Sequence, residues 1–377
     1  MPYTWRRAVI QQIMLVMPSP LGTKLAGSAV RPKTCRRSSQ NALAGYPATD
    51  AFIRNRRITS SAPQKMKRLA PLLSIGICAA IFILYAVRPN WATAITIFPT
   101  WIWLPFAFAA FFSPQRRIRL ITLAAWMVYG IFLIEECHSL FRMVLPSGNH
   151  PNSITVATLN CSSSVAALSK ALQSAPDVVL LQESPSEEEI TNVLSSHPDY
   201  QCAYGFDASI IARGAITKEI KARLFTCALI DIDSRKIFVV SLRLATSDPR
   251  IDLWNPRCWR AQRQMRERQL REMAEVVQAL PVDGTLIVGG DFNVPPRDRI
   301  FTLFGSRLTD TFSAAGRGWC NTILAELPIL RIDQIWISSD LMATNAYART
   351  VPDTDHRLYA AILATPATAE QSGGERR

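Results

Sequence analysis

The sequence of 377 residues predicts a layered α/β domain preceded by a helical transmembrane region at residues 66–140. Residues 69–136 contain three long apolar stretches, and beyond residue 153 short strand-like apolar runs alternate with helical segments. Residues 1–150 hold 18 Lys and Arg against 3 Asp and Glu, whereas residues 151–377 hold 24 against 26. The net charge of +13 therefore comes from the first part, and the second part lacks the basic surplus typical of duplex-binding domains.

The first 65 residues are rich in Arg, Ser, Ala and Pro and show no sustained hydrophobic periodicity. This composition predicts a basic, disordered segment. Met66, Lys67 and Arg68 directly precede an apolar run, as at the start of a signal anchor. Residues 1–65 are therefore either a true N-terminal segment or an extension translated from an upstream start.

Three apolar stretches predict transmembrane helices at about residues 69–87, 91–112 and 118–136. Basic residues flank these stretches unevenly: Lys65, Lys67 and Arg68 precede the first, and Arg116, Arg117 and Arg119 lie between the second and third. Basic residues stay on the cytoplasmic side of a membrane. Three crossings would place the rest of this multi-pass cell membrane protein on the non-cytoplasmic side, and an even number would reverse that.

Hydrophobic periodicity predicts the elements of the second part in order. The predicted strands cover residues 154–159, 177–181, 209–212, 224–232, 237–244, 285–290, 332–337 and 359–363. Helical patterns cover residues 165–174 and 259–280. The long helix carries Arg260, Arg263, Arg266, Arg268 and Arg271 among Glu267, Glu272 and Glu275. This mixture predicts a solvated, salt-bridged face, and contact of its first arginines with anionic lipid headgroups is the alternative.

Polar residues cluster at the ends of these strands. In the stretch LIVGGDFNVPP, residues 286–296, an apolar run leads through two glycines into Asp291 and Asn293, and two prolines stop the strand. Each such residue alone is typical of a turn. Five elements, however, carry such groups: Asn160, Glu183, Asp291 with Asn293, Asp333, and Asp355 with His356. This number favours a common site over turn chemistry.

These stretches resemble the motifs of the endonuclease/exonuclease/phosphatase superfamily of metal-dependent phosphoesterases. The matching sequences are Thr158-Leu159-Asn160, Leu181-Gln182-Glu183, Gly290-Asp291-Phe292-Asn293, Arg331-Ile332-Asp333 and Thr354-Asp355-His356, in the family's order. The resemblance covers about residues 153–365. It implies a four-layer α/β sandwich, with two stacked β-sheets flanked by helices, in a catalytic domain at residues 151–366. Residues 367–377 would form a disordered tail.

The resemblance also implies roles for the polar residues. Glu183 would hold a divalent cation, with Asp355 as an additional carboxylate and Asn160 as a ligand of the metal or the phosphate. Asp291 would orient or deprotonate the attacking water, and Asn293 would bind the phosphoryl oxygen or that water. His356 would contact the phosphate or transfer a proton, and Asp333 would fix its tautomer.

The choice of metal follows from the available ligands. Residues 151–377 contain only two histidines, His197 and His356, and no thiol cluster. Because the remaining ligands are oxygens, a hard cation is expected: Mg²⁺, or Mn²⁺ in its place. Zinc is disfavoured.

One residue departs from the family pattern. Many relatives carry a histidine at the end of the strand before the long helix, and here Arg243 stands there. Arg243 would stabilise charge on the phosphate, but an arginine at its normal pKa donates no proton. The substitution suits a leaving group that needs little protonation, such as one phosphate of a pyrophosphate. A degraded or inactive enzyme is the alternative.

Together these features predict a membrane-anchored, metal-dependent phosphoesterase. It is similar to membrane-anchored family members linked to glycopeptide-antibiotic resistance, which implies a membrane lipid or lipid-linked phosphate as substrate. A nuclease of the same fold is the first alternative, although the charge balance makes nucleic acid a less favoured partner. The second alternative is a catalytically silent module that binds the membrane surface. The sequence indicates no protein partner.

Overall fold

The computed structural model describes residues 62–146, 152–246, 255–278 and 284–365. Most of the segment predicted to be disordered at residues 1–65 lies outside these ranges, as does the tail at 367–377, but residues 62–65 are described and belong to a helix. Within them, an N-terminal helical region leads into two β-sheets that are covered by helices.

The helical region contains one single helix that is long and apolar enough to span a membrane among the described residues. Helix α1 (Ala62–Val87) includes the apolar stretch Leu69–Val87, which matches the first predicted span. The other two predicted spans are bent. A short 3₁₀ turn (Asn90–Ala92) and α2 (Thr93–Thr96) meet a 3₁₀ helix (Thr100–Phe112) at 74°, and α3 (Arg116–Leu133) meets α4 (Glu135–Arg142) at 75°. By length and composition the region can therefore cross a membrane once, or up to three times if each bent pair is one span.

The first bend has a local cause. Pro99 follows α2, and a proline lacks the backbone N–H and disfavours helical geometry in the residue before it. Pro105 lies within the following 3₁₀ helix and interrupts the backbone hydrogen bonds there as well. The sequence of apolar residues alone did not reveal the bend, because periodicity reports burial and not helix direction.

The outer surface of the helical region is apolar. Ile121, Met127 and Phe132 of α3 are more than half exposed, while Trp126 and Tyr129 of the same helix are buried. A continuous exposed apolar surface of this kind is unusual in water and typical of a membrane-facing or protein-binding face.

The α/β domain contains twelve strands among its described residues, arranged in two six-stranded sheets. In chain order they are β1 (Ile154–Asn160), β2 (Val178–Gln182), β3 (Tyr200–Ala203), β4 (Ala208–Arg213), β5 (Ala215–Lys221), β6 (Phe225–Ile232), β7 (Arg235–Arg243), β8 (Thr285–Asp291), β9 (Leu308–Asp310), β10 (Asp333–Ser338), β11 (Met342–Thr350) and β12 (Arg357–Ala364). The first sheet has the order β11-β12-β1-β2-β4-β3, and the second has the order β5-β6-β7-β8-β10-β9.

Three apolar clusters fix the layers. Buried residues such as Leu180, Val239 and Ile287 fill the space between the sheets. Helices α5 (Val165–Leu172) and α6 (Glu187–Leu194) cover the first sheet. Helix α7 (Pro256–Gln278) and a 3₁₀ helix (Arg299–Phe304) cover the second, and the short helix α8 (Thr311–Ala315) follows β9. The predicted four-layer α/β sandwich is therefore confirmed.

Strand direction brings the polar strand ends to one edge. β1 and β2 are parallel, and so are β7 and β8, in which Arg243 lies opposite Asp291. β10 runs antiparallel to β8 and begins at Asp333, also opposite Asp291. Because the carboxyl ends of the two central parallel pairs face the same way, the loops that follow them meet above both sheets.

The arginine face of the long helix α7 is only partly exposed to solvent, although the sequence predicted a solvated face. Arg271 makes the expected ion pair with Glu267, at 2.7 Å. Arg263 and Arg266, in contrast, are buried, and Arg263 binds Asp298 at 3.0 Å. The helix packs against the turn at Asn90–Ala92, so part of its arginine face lies inside the protein.

Candidate active site

The two glycines before Asp291 are required by close packing. Gly290 has φ +147°, and a Cβ atom there would lie 1.9 Å from the backbone oxygen of Leu242. A Cβ atom at Gly289 would lie 2.5 Å from the Leu180 side chain of the other sheet. The glycines let β8 approach its neighbours, so that Asp291 reaches the edge of the sandwich in a fixed position.

Asn293 then turns back onto Asp291. Its φ of +53° is a left-handed conformation that asparagine tolerates better than most residues. Its backbone N–H donates to Asp291 Oδ1 at 2.9 Å, and its Nδ2 donates to Asp291 Oδ2 at 3.1 Å and to the Leu244 carbonyl at 2.8 Å. The amide and the carboxylate therefore form one local unit.

Asp291, Asp333 and His356 form a buried group whose ligand atoms all lie within 4.8 Å of one another. His356 Nδ1 is 2.8 Å from Asp333 Oδ2, and His356 Nε2 is 4.0 Å from Asp355 Oδ1. The structure thus brings together four of the residues predicted for catalysis and metal binding. The imidazole lies between two carboxylates, and the role of Asp333 in fixing its tautomer stays a prediction.

Burial shifts the pKa values of this group. Burial raises the pKa of Asp291 from 3.8 to about 7, and the nearby Asp333 carboxylate acts in the same direction. Burial alone would lower the pKa of His356, but the charges of Asp333, Asp291 and Asp355 raise it from 6.5 to about 10. With this pKa the imidazole is a cation at neutral pH. The pKa of Asp291 is close to neutral pH, so its carboxylate can both accept and release a proton there.

Glu183 and Asn160 complete the same edge from the first sheet. Glu183 has φ +44°, an uncommon conformation that turns the chain directly after β2. Asn160 Nδ2 donates to Glu183 Oε1 at 3.0 Å and to Asp291 Oδ2 at 3.1 Å. Its own Oδ1 accepts from the backbone N–H of Ser162, so Asn160 links two carboxylates here, and its role as a ligand stays a prediction.

Arg243 is held by carboxylates of the protein. Its Nη2 is 2.6 Å from Glu183 Oε1, and its Nη1 is 3.0 Å from Asp207 Oδ2. Asp207 was not identified from the sequence. The Gly205-Phe206-Asp207 turn before β4 resembles any surface turn, and only the pairing of β4 with β2 shows that it lies next to Glu183.

A buried polar chain beneath the site was also missed. Thr158 Oγ1 donates to Gln182 Oε1 at 3.1 Å, and Gln182 Nε2 donates to Ser241 Oγ at 3.0 Å. Ser241 Oγ in turn donates to the Leu181 carbonyl at 2.9 Å. This chain joins the two sheets directly below Glu183 and Arg243, where hydrogen-bonded polar groups hold a single arrangement.

The sequence of the domain matches a family model. The model describes the Endonuclease/Exonuclease/phosphatase family and matches residues 157–356, from within β1 to His356. The chain belongs to this family. The match covers more than half of the chain and contains all of the predicted site residues.

Solved structures to which this chain is similar include several members of this family. A family member from Beutenbergia cavernae is 14% identical, with 56% of this chain and 72% of that chain covered and a TM-score of 0.46. D. rerio TDP2 complexed with a single-strand DNA product is 16% identical, with 57% and 100% covered and a TM-score of 0.45. The Bacteroides thetaiotaomicron mannosyl-6-phosphatase is 13% identical, with 56% and 99% covered and a TM-score of 0.43. No curated protein matches the sequence.

Endonuclease/Exonuclease/phosphatase proteins are hydrolases of phosphoester bonds that generally depend on a divalent metal, and the residues of this site fit such an ion. Asp333 Oδ1 is buried without a hydrogen-bond partner in the described part of the chain. In the same described part, Glu183 accepts side-chain hydrogen bonds only at Oε1, from Asn160 and Arg243. Free carboxylate oxygens on two sides of the buried Asp291 form the donor set that a hard cation prefers.

Proposed function

We propose that this protein is a metal-dependent phosphoesterase that cleaves a phosphate ester or pyrophosphate bond. One observation carries the proposal: Asp291, Asp333 and His356 are buried within 4.8 Å of one another at the edge where the loops of both sheets meet. Burying two carboxylates beside an imidazole is costly for stability, and a catalytic site is the usual reason for such a cost.

The side chains divide the chemistry among them. Asp291, with a pKa of about 7, would accept the proton of the attacking water, and Asn293 would hydrogen-bond that water or a phosphoryl oxygen. His356, kept protonated by Asp333, would donate a hydrogen bond to the phosphate. A bound Mg²⁺ or Mn²⁺ ion, held by Glu183 and Asp355, would neutralise charge on the phosphate.

The proposed kind of leaving group rests on the two histidines of this domain, His197 and His356, of which only His356 belongs to the buried group at the site. His197 is hydrogen-bonded within the turn after α6, and Arg243 is an arginine whose charge does not change. A phosphate or another stable anion leaves without protonation. The proposed substrates are therefore pyrophosphates and activated phosphodiesters rather than esters of simple alcohols.

The proposed substrate class is a membrane lipid or lipid-linked phosphate. The support is the helical region, with its apolar stretch Leu69–Val87 and its exposed apolar surface directly before the domain. A multi-pass anchor in the cell membrane would hold the site beside lipid phosphates, with the domain on the non-cytoplasmic side. The proposed cation is Mg²⁺, with Mn²⁺ as a substitute.

The test is phosphate release from a total lipid extract by the purified full chain in detergent. We expect release to be abolished by EDTA, restored by Mg²⁺ or Mn²⁺, and reduced by ~100-fold or more in Asp291→Asn. Asp231→Asn, a carboxylate on β6 outside the site, serves as the matched control and should retain full activity. Release that is indifferent to EDTA or to Asp291→Asn would refute the proposal.

The same preparation separates the two alternatives. Nucleases belong to the family by its description, so plasmid DNA and single-stranded RNA are tested in parallel. Cleavage that falls steeply with salt and is lost in Glu183→Ala, without lipid phosphate release, would identify a nuclease. No hydrolysis of either substrate class, with membrane binding intact, would identify a silent binding module.

A further inference from the structure

Arg243 joins the two halves of the site. It ends β7 in the second sheet, and its guanidinium reaches Glu183 and Asp207, which belong to loops of the first sheet. The distances of 2.6 and 3.0 Å are those of charge-assisted hydrogen bonds. Each of the three side chains is about one quarter to one third exposed, so water and dissolved ions can reach the contact.

The contact falls on Glu183, which is proposed to hold the metal ion. Glu183 Oε1 accepts from both Arg243 Nη2 and Asn160 Nδ2, so that oxygen already has two donors. A divalent cation bound at Oε2 would lie a few ångströms from the positive guanidinium. Two positive charges on one carboxylate repel each other, and the repulsion is stronger in a partly buried site than in bulk water.

The wider charge balance supports the same conclusion. Five carboxylates lie at this edge, and two cationic side chains contact them, His356 and Arg243. The carboxylates are those of Glu183, Asp207, Asp291, Asp333 and Asp355. Arg243 is therefore a permanent counter-charge placed where the other ligands would otherwise attract a metal ion more strongly.

We propose that Arg243 acts as a built-in cation that competes with the divalent metal ion for Glu183 and so weakens metal binding at this site. The same positive charge is present whether or not an ion is bound, which keeps the loops of the two sheets together in the metal-free protein. Metal binding then requires the guanidinium to share Glu183 or to shift toward Asp207.

The test measures binding of Mn²⁺ ions alone, without substrate, by electron paramagnetic resonance on the full chain in detergent. We expect Arg243→Met, which keeps the length of the side chain without its charge, to bind Mn²⁺ at least ~10-fold more tightly than the wild type. Arg243→Lys, which keeps a positive charge, should stay close to the wild-type affinity. Thermal unfolding of each variant confirms that it is folded.

Arg213→Met provides the matched control, because Arg213 pairs with Asp177 at 3.3 Å at the opposite end of β2. This variant should bind Mn²⁺ as the wild type does. Unchanged affinity in Arg243→Met, equal tightening in Arg213→Met, or no Mn²⁺ binding in any variant would overturn the inference. Because no turnover is measured, these results are independent of whether the protein hydrolyses lipid phosphates.

Discussion

Arg331 lies between two carboxylates from different parts of the chain: its Nη2 is 3.0 Å from Glu135 Oε2 and 2.6 Å from Asp310 Oδ2. Glu135 begins α4 in the helical region, and Asp310 ends β9 in the catalytic domain. Arg331 is only 3% exposed, so this contact is shielded from solvent. Arg331 also lies two residues before Asp333, which places the contact beside the candidate active site.

Helix α4 makes further contacts with the segment that leads into β10, residues 318–331. Asn321 Nδ2 donates to Glu136 Oε1 at 3.0 Å, and Ser139 Oγ donates to the Gly318 carbonyl at 2.8 Å. Thr322, next to Asn321, accepts from the backbone N–H of Asp333 at 3.1 Å. The helix that follows the apolar region is therefore packed against the loop that leads into the catalytic strand, and the two parts are joined by more than a linker.

We expect Glu135→Ala to destabilise the protein by about 1–3 kcal/mol, because a buried guanidinium loses one of its two partners. Glu267→Ala is the matched control. It removes an exposed Glu–Arg pair with a comparable 2.7 Å contact to Arg271, and such pairs contribute about 0.3–0.5 kcal/mol. Thermal unfolding of the full chain in detergent measures both. Equal melting temperatures for the two variants would show that the α4 contact is as weak as a surface pair.

Gly290→Ala should be far more damaging than its chemistry suggests. The new Cβ atom would lie 1.9 Å from the Leu242 backbone oxygen, and backbone in the centre of a sheet cannot move aside cheaply. We expect a loss of folded protein, or a destabilisation of more than about 3 kcal/mol, the range of severe single substitutions. A urea unfolding series with a circular dichroism signal measures the change.

Gly305→Ala is the control for backbone conformation in that experiment. Gly305 also has a positive φ, of +57°, but nothing lies within 4 Å of the position of its Cβ. The cost there is limited to the left-handed conformation, about 1–2 kcal/mol. A Gly290→Ala variant no less stable than Gly305→Ala would mean that the strand can relax around the extra atom.

The position of the site could be predicted from the sequence because it depends on strand ends. Short apolar runs identify buried strands, and Asp291, Glu183 and Asn160 each stand within three residues of the end of such a run. Once two parallel pairs are inferred, their carboxyl ends must lie at one edge. The family resemblance supplied the order of the motifs, and the fold it implied is confirmed.

Other elements could not be predicted, for physical reasons. β5 and β11 lie at sheet edges, where most side chains are partly or fully exposed, so no period-two apolar pattern marks them. The burial of Arg263 depends on the turn at Asn90–Ala92, and its partner there, Asn90, is 173 residues away in sequence. The ion pairs of Arg243 and Arg331 are likewise contacts between distant segments, and local periodicity contains no information about them.

The titration of His356 should reveal its two carboxylate neighbours. Its pKa is raised from 6.5 to about 10, so the folded state binds this proton more tightly than the unfolded state does. The corresponding stability is complete below about pH 6.5 and is lost as the pH rises toward 10. We expect the metal-free protein in EDTA to lose thermal stability over this interval.

Nuclear magnetic resonance of labelled histidine measures that pKa directly, because the sequence contains only four histidines. Asp333→Asn should bring the pKa of His356 down toward its ordinary value and flatten the fall in stability above pH 6.5. A wild-type His356 that titrates near pH 6.5 would contradict the buried ion pair with Asp333.

The number of membrane crossings decides which substrates the site meets. The structure allows one crossing or up to three, depending on whether each bent pair spans the membrane. One or three crossings place the catalytic domain on the non-cytoplasmic side, and two place it in the cytoplasm, given the basic residues before the first span. We expect alkaline phosphatase fused after residue 373 to be active and green fluorescent protein fused there to be dark.

A second pair of fusions, truncated after Arg119, separates one crossing from three. With three crossings, Arg116, Arg117 and Arg119 lie in the cytoplasm, so the fluorescent fusion there should be bright and the phosphatase fusion inactive. With one crossing, both results are inverted, and the bent pairs lie in the membrane without spanning it. An inactive phosphatase fusion after residue 373, with a bright fluorescent fusion there, would instead require two crossings. The domain would then face the cytoplasm, where nucleic acids and soluble nucleotides replace envelope lipids as the accessible phosphates.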